Sequence, residues 1–180
     1  MGFNLSIPAK ILAKELKDAN KKTKKAGVRA LNKTATQSRN FAQRETRKVI
    51  NVKAATIKKA YWIKKAKIGQ QKPEAGVFVS YKPFPVSAFN GVRQTKKGVT
   101  VRLRKDKPRL LFRRAFIRTV GSGHKGVFRR KGKARLPIKE LHGTGPQAVF
   151  IEKINAITSE SDRILTRVYA KELDFIFGRV

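Results

Sequence analysis

The amino-acid sequence predicts an α+β fold with a long N-terminal helix, a central antiparallel β-sheet and a C-terminal helical region packed on the sheet. Three observations support this prediction. Apolar residues recur at helical spacing towards both ends, alternating residues and turn signals fill the middle, and 180 residues suffice for a compact core. We expect a single domain over 1–180, with a helical arm at 1–60, a β-rich core at 61–142 and C-terminal helices at 143–180.

The first predicted helix begins near Ser6, which can cap it, and takes Pro8 in its first turn. Helical spacing of apolar residues extends it to about Glu45 or Arg47. Its polar face is basic with few acidic partners, so a solvated face and phosphate contact are both open. A helix of about 40 residues would be about 60 Å long, which favours packing on neighbouring subunits. The apolar positions are Ile11, Leu12, Leu16, Ala19, Val28, Leu31, Ala35 and Phe41.

Strand and turn signals mark the middle of the chain. After a short helix over 53–60, we expect strands from Tyr61, at 77–81 and in the short apolar piece 85–89. The later apolar segment 110–120 is interrupted by two arginines, and its periodicity does not decide between strand and helix.

Residues 91–104 predict a β-hairpin whose turn includes 96–98. The residues of its second arm that should face the core are Val99, Val101 and Leu103. Pleating then places Arg102 and Arg104 together on the outward surface.

The last helical region is expected to start at 143–146, where Pro146 suits the first turn of a helix. An apolar stripe follows at helical spacing, with a bend expected near 159–162. Its residues are Phe150, Ile154, Ile157, Ile164, Leu165, Val168, Leu173 and Ile176.

The chain is strongly basic, with 44 Lys and Arg against 11 Asp and Glu, a net charge of +33. Residues 1–138 hold 38 basic and 5 acidic side chains, whereas 139–180 hold 6 of each. Such a charge opposes compaction unless a polyanion lies nearby, so nucleic acid is the expected partner of the first part and protein that of the last. Without a run of about 18 apolar residues, a membrane-spanning role is not expected.

The densest charge is the basic run 129–135, which follows a glycine-rich loop at 121–126 and the apolar pair Val127-Phe128. Because this charge is concentrated and mobile, we take it as the candidate phosphate-contacting segment, together with the outward arginines of the hairpin. The candidate contact residues are Arg102, Arg104, Lys125, Arg129, Arg130, Lys131 and Lys133.

No pattern typical of catalysis or cofactor binding is present. The sequence has no Cys, and His124 and His142 lack the spacing of a zinc site. The loop 121–126 lacks the spacing of a phosphate-binding P-loop, and the β-rich middle before this loop offers only Glu74 and Asp106 as carboxylates. We expect no catalytic residues, no metal and no cofactor.

One stretch of the second half is more specific. It runs through Ala115-Phe116-Ile117, the segment 121–128, the segment 135–141 and Gly145-Pro146-Gln147. This stretch resembles the minor tail protein Z family of tailed bacteriophages, and the helix before residue 46 is similar more loosely. The residues that carry the family motif are Arg135, Leu136, Pro137, Ile138, Gly145 and Pro146.

This resemblance implies a non-enzymatic tail-completion protein. It would form a hexameric ring between the tail terminator and the head connector, or stopper, and make the tail competent to join heads. It would be a virion component at the head-to-tail neck, assembled in the cytoplasm of the host bacterium. The family motif is expected to be structural, with Pro137 extending the chain, and Leu136, Ile138 and Leu141 buried.

A cationic ring would hold double-stranded DNA through its phosphates, without reading sequence. Two alternatives stay open. One is a cytosolic basic RNA- or DNA-binding module of the ribosome-associated type, which exposed base-stacking aromatics would favour; Tyr61, Trp62 and Tyr81 are unassigned. The other is an architectural neck subunit whose positive charge is complementary to acidic faces of neighbouring rings, without DNA contact.

Overall fold

The computed structural model describes residues 2–6, 21–70, 72–121 and 123–178, and it confirms the predicted α+β class. The strands form three small antiparallel sheets, β1-β3-β2, β4-β5-β6 and β7-β8-β9. In chain order the elements are β1 (Gly2–Ser6), α1 (Lys21–Val49), α2 (Ala54–Lys59), β2 (Tyr61–Lys64), β3 (Gly76–Ser80), a 3-10 turn (Val86–Ala88), β4 (Arg93–Thr95), β5 (Gly98–Val101), β6 (Leu110–Arg113), β7 (Ala115–Thr119), β8 (Lys125–Arg130), β9 (Ile138–Glu140), α3 (Pro146–Glu152) and α4 (Ile154–Phe177).

Contacts group the chain into two compact units. The terminal unit comprises the described residues up to Arg44, Tyr61–Ser80 and the described residues from Phe150 onward. The central unit comprises Glu45–Ala60 and Tyr81–Val149. The single domain expected over 1–180 stays a prediction.

In the terminal unit, α1 and α4 pack through small and branched side chains. Their shared core consists of Val28, Ala30, Leu31, Ala35, Ala66, Ala75, Ile164, Leu165 and Val168. The buried Ser38 and Ser161 hydroxyls are hydrogen-bonded to each other, with their Oγ atoms 2.8 Å apart, and Lys33 pairs with the mostly buried Glu172. Small residues at four-residue spacing let these helices approach closely.

The sheet of the terminal unit has one buried face. Tyr61 lies opposite Val79 in the β2–β3 register, and both side chains are buried. The Tyr61 ring also lies 6.1 Å from the ring of Phe150, which is fully buried. Strand alternation therefore leaves Trp62 on the other face.

The central unit contains the other two sheets. The predicted hairpin is confirmed, because β4 and β5 pair with a turn at 96–97, and Val99 and Val101 are fully buried. Leu103 is half-buried beyond the end of β5. The undecided segment 110–120 forms two strands, β6 and β7, separated by Arg114 in the left-handed region at φ 57°.

Two local predictions were wrong. The piece 85–89 is a 3-10 turn rather than a strand, since its ends make only single bridges, Pro85 to His142 and Phe89 to Val52. The bend expected near 159–162 lies instead at Lys153, between α3 and α4. Helix α4 continues through 159–162, and the Ser161 hydroxyl is accommodated inside it by donating to the Ile157 carbonyl one turn earlier, at 2.7 Å.

The predicted start of the first helix stays a prediction. The proposed cap and the first apolar positions fall at 6–20, of which 7–20 lie outside the described residues. Residues 2–6 form β1, which sequence patterns did not predict and which pairs with β3. Among the described residues, no helix is long and apolar enough to cross a membrane.

Candidate nucleic-acid interface

The central unit carries an open concave surface of about 870 Å³ that we call the basic groove. Six of its lining side chains are cationic, one is aromatic and none is acidic. The groove is lined by Arg113, Arg114, Phe116, Arg129, Arg130, Lys131, Gly132 and Lys133. All six cationic residues are exposed, so they are free to contact a ligand larger than the groove itself.

Chain reversal and strand register bring these residues together. Arg114 turns the chain between β6 and β7, and its backbone N–H donates to Lys97 O at 3.2 Å. The β7–β8 register then places Ala115 opposite Arg129, so the end of β8 lies beside the start of β7. Two separate segments, 113–116 and 129–133, thus contribute to one surface.

The loop after β8 is tied back to the sheet. Lys131 N donates to Pro137 O at 3.1 Å, and β9 then pairs with β8 from Ile138 onward. This bond holds the two ends of the loop together, so Lys131 and Lys133 stay beside Arg129 rather than extending away from it.

The positive charge of the groove is not compensated locally. Within the described ranges, none of its six cations forms an ion pair. The Arg130 guanidinium carbon lies 5.9 Å from the centroid of the Phe116 ring, a cation–π contact that orients the arginine without neutralising it. The groove therefore presents a strong positive potential to an anionic ligand.

Four of the seven predicted contact residues, namely Arg129, Arg130, Lys131 and Lys133, line the groove. Lys125 lines a different depression of the central unit, about 520 Å³ in volume, together with Lys53.

The two hairpin arginines do not line the groove. Arg102 Nε donates to Lys107 O at 2.9 Å. Arg104 forms a two-point ion pair with Asp106, with nitrogen–oxygen distances of 3.0 Å. The Arg104 hydrogen bonds hold the pKa of the Asp106 carboxyl below its usual value. Asp106 thus neutralises much of the charge that Arg104 could offer to a ligand.

Sequence reasoning did not include Arg113, Arg114 and Phe116 among the contact residues. A signal was present, since two adjacent arginines interrupt an otherwise apolar segment. Their role depends on β6 and β7 being separate strands, which the local pattern left undecided.

The family motif is only partly buried. Leu136 was expected to pack inside, but its side chain is 67% exposed because 131–137 is a surface loop and only β9 returns to the sheet. Arg135 is also exposed, Ile138 is half-buried in β9, and Leu141 is buried as predicted.

The end of the motif packs closely on the central unit. Gly143 N donates to Phe84 O at 2.8 Å, and a Cβ added at Gly143 would lie 2.7 Å from a methyl carbon of Leu103. A Cβ at Gly145 would lie 3.1 Å from Pro83 Cα, and α3 begins at Pro146, its predicted first-turn residue. These glycines are needed for close contact.

The histidine and acidic side chains in the described part of the chain do not cluster. No group of three or more His, Asp or Glu side chains occurs there that could hold a metal ion. His124 Nε2 lies 2.9 Å from Glu140 Oε1 as an isolated pair. The chemistry that the groove offers is the binding of anions.

The comparisons with known proteins agree with the sequence resemblance. A family model described as prophage minor tail protein Z matches residues 10–174. Searches of curated proteins and of solved structures give no match.

Proposed function

Because the chain belongs to the prophage minor tail protein Z family, which covers 10–174 of its 180 residues, we propose that it completes the phage tail at the head-to-tail neck. Family membership assigns it a structural role in the tail and makes it a component of the virion. The finer proposal is a hexameric ring between the tail terminator and the head connector, required for head–tail joining and assembled in the host cytoplasm.

Assembly with other protein subunits has support in the C-terminal helix. Phe175 and Phe177 near the end of α4 are 76% and 56% exposed. Large exposed apolar side chains are typical of surfaces that a partner covers. They lie in the segment 139–180, whose charges balance, so protein packing is favoured there over binding of a polyanion.

We further propose that the basic groove contacts the end of the packaged double-stranded DNA through its phosphates. The observation that carries this proposal is the convergence of six exposed cations without an acidic lining residue. Such a surface gains affinity by releasing counterions from DNA and reads no sequence. Within this proposal the protein has no catalytic residues and needs no metal or cofactor.

Salt dependence tests the DNA contact. If all six groove cations neutralise phosphates, log K should fall with log salt at a slope of about −5, a loss of about 10³-fold in affinity between 50 and 200 mM salt. Removing two charges in Arg129→Gln/Arg130→Gln should make the slope about 2 units shallower. Lys58→Gln/Lys59→Gln, an adjacent exposed pair on α2, is the matched control and should leave the slope nearly unchanged. Equal slopes for both variants, or a strong preference for one DNA sequence, would contradict the proposal.

An architectural role without DNA contact predicts a different phenotype for the reversed charges. Virions carrying Arg129→Glu/Arg130→Glu should still join heads to tails if the groove binds DNA, but should fail to retain or eject it normally. Normal DNA retention combined with failed joining would show that the groove contacts a neighbouring protein ring instead.

A further inference from the structure

The outer face of the sheet in the terminal unit exposes a stacked aromatic pair. Trp62 in β2 lies directly opposite Phe78 in β3. Their ring centroids are 5.9 Å apart and their planes differ by only 11°. The Trp62 side chain nevertheless remains 46% exposed. We call Trp62 and Phe78 the aromatic pair.

The aromatic pair is not part of the buried core. The core-facing residues of the two strands are Tyr61, Ile63, Val77 and Val79. Alternation sets the aromatic pair on the opposite face, where a smaller polar residue would serve the fold equally well. An indole held parallel to a second ring and left half exposed therefore has a surface available for a flat ligand.

Exposed lysines follow Trp62 along the chain. Lys64 follows two residues after Trp62 in β2, on the same face, and is exposed. The connection between β2 and β3 adds exposed Lys65, Lys67 and Lys72 against one carboxylate, Glu74. Within the part of the chain that the structure describes, none of these four lysines forms an ion pair.

We propose that Trp62 is a stacking platform for an unpaired base of single-stranded nucleic acid, with the neighbouring lysines contacting its phosphates. Because the two rings are nearly parallel, a base on the free face of the indole extends an existing stack. Aromatic side chains beside cations are the usual means of binding single strands without sequence preference. Duplex DNA hides its base faces inside its own stack, so this surface discriminates against it. The proposal is independent of the basic groove, which contacts only phosphates.

Trp62 is the sole tryptophan of the chain, so its fluorescence reports on this surface without labelling. We expect oligodeoxythymidylate and oligouridylate of about 10 nucleotides to quench it saturably. A duplex of equal length and inorganic polyphosphate should quench it far less at the same salt concentration. Because polyphosphate is a polyanion without bases, comparing it with the oligonucleotides separates the contribution of base stacking from that of phosphate charge.

Substitutions test the contribution of the ring itself. Measured with an end-labelled oligonucleotide, Trp62→Ala should weaken single-strand binding roughly 5- to 150-fold, as expected for the loss of one stacked base. Trp62→Phe should retain most of the affinity. Tyr81→Ala removes another exposed aromatic, 53% exposed and outside the strands of this sheet, and should change nothing.

Three results would overturn the proposal. They are equal quenching by polyphosphate and oligonucleotide, unchanged affinity of Trp62→Ala, and quenching by a tail protein but not by single strands, which would make Trp62 a protein contact. Arg129→Gln/Arg130→Gln distinguishes the two sites: single-strand quenching should persist in this variant even though its duplex binding weakens.

Discussion

Replacing Gly98 with alanine should disrupt the pairing of β5 with β6, the strand that ends at Arg113 of the basic groove. Gly98 begins β5 with φ 146°, a conformation that L side chains rarely adopt. It lies opposite Arg113 in β6, and an added Cβ would meet three backbone atoms there. The distances are 2.2 Å to Phe112 O, 3.0 Å to Phe112 C and 3.1 Å to Arg113 Cα. Because these atoms are backbone, no side-chain rotation relieves the contact.

The expected cost combines two effects. Holding a non-glycine residue in this conformation costs about 1–3 kcal/mol. Moving β5 away from β6 by about 1 Å sacrifices one or two ladder hydrogen bonds, at about 1 kcal/mol each. The sum is roughly 2–5 kcal/mol, a large share of the 5–15 kcal/mol typical of a folded domain. For a chain of this size it corresponds to a fall in Tm of about 4–20 °C.

Urea denaturation and amide hydrogen exchange together test this prediction. Protection should fall mainly in β5 and β6, because the strained contact lies between them. Gly132→Ala is the matched control, since nothing lies within 4 Å of a Cβ there and its φ is not in the left-handed range; it should change stability by less than about 0.5 kcal/mol. A Gly98→Ala protein as stable as the wild type would refute the β5–β6 register on which Arg113 depends.

Two further predictions concern ion pairs. Lys33→Met leaves the mostly buried Glu172 carboxylate without its partner and should lower the free energy of unfolding, measured by urea denaturation, by about 1–3 kcal/mol. The double variant Lys33→Met/Glu172→Leu should recover part of that loss. A double variant less stable than the single one would argue against the ion pair. Arg104 lowers the pKa of Asp106, so this pair stabilises the fold above the usual carboxyl pKa, and the effect fades as pH falls through the lowered value. Asp106→Asn should therefore lower Tm slightly at neutral pH but not in acid, whereas an equal deficit at both pH values would assign it to packing.

Much of the local structure followed from short-range patterns. Alternation predicted the β4–β5 hairpin with Val99 and Val101 inside, and the position of Pro146 predicted the start of α3, as the structure confirms. The bend at Lys153 was missed, because serine and aspartate at 159–162 are typical of a break unless the hydrogen bond of the Ser161 hydroxyl inside the helix is known. The burial of Leu136 was mispredicted because an apolar residue carries no information about where its loop leaves the sheet.

The candidate sites depended more on distant contacts. The run from Arg129 to Lys133 was visible as charge density, but Arg113 and Arg114 join it only through the turn at Arg114 and the β7–β8 register. The stacking of Trp62 on Phe78 likewise exists only because β2 pairs with β3 in one register. A shift of that register by one residue would point the two rings to opposite faces.

The sequence by itself determined the α+β class, the excess of positive charge before residue 139 and the family, because composition, periodicity and a contiguous motif are properties of the chain alone. Only the tertiary structure decided which cations share one groove and which aromatic ring remains open to solvent. Those outcomes require residues far apart in the chain to meet. Strand register and loop closure fix such meetings, and local spacing does not encode them.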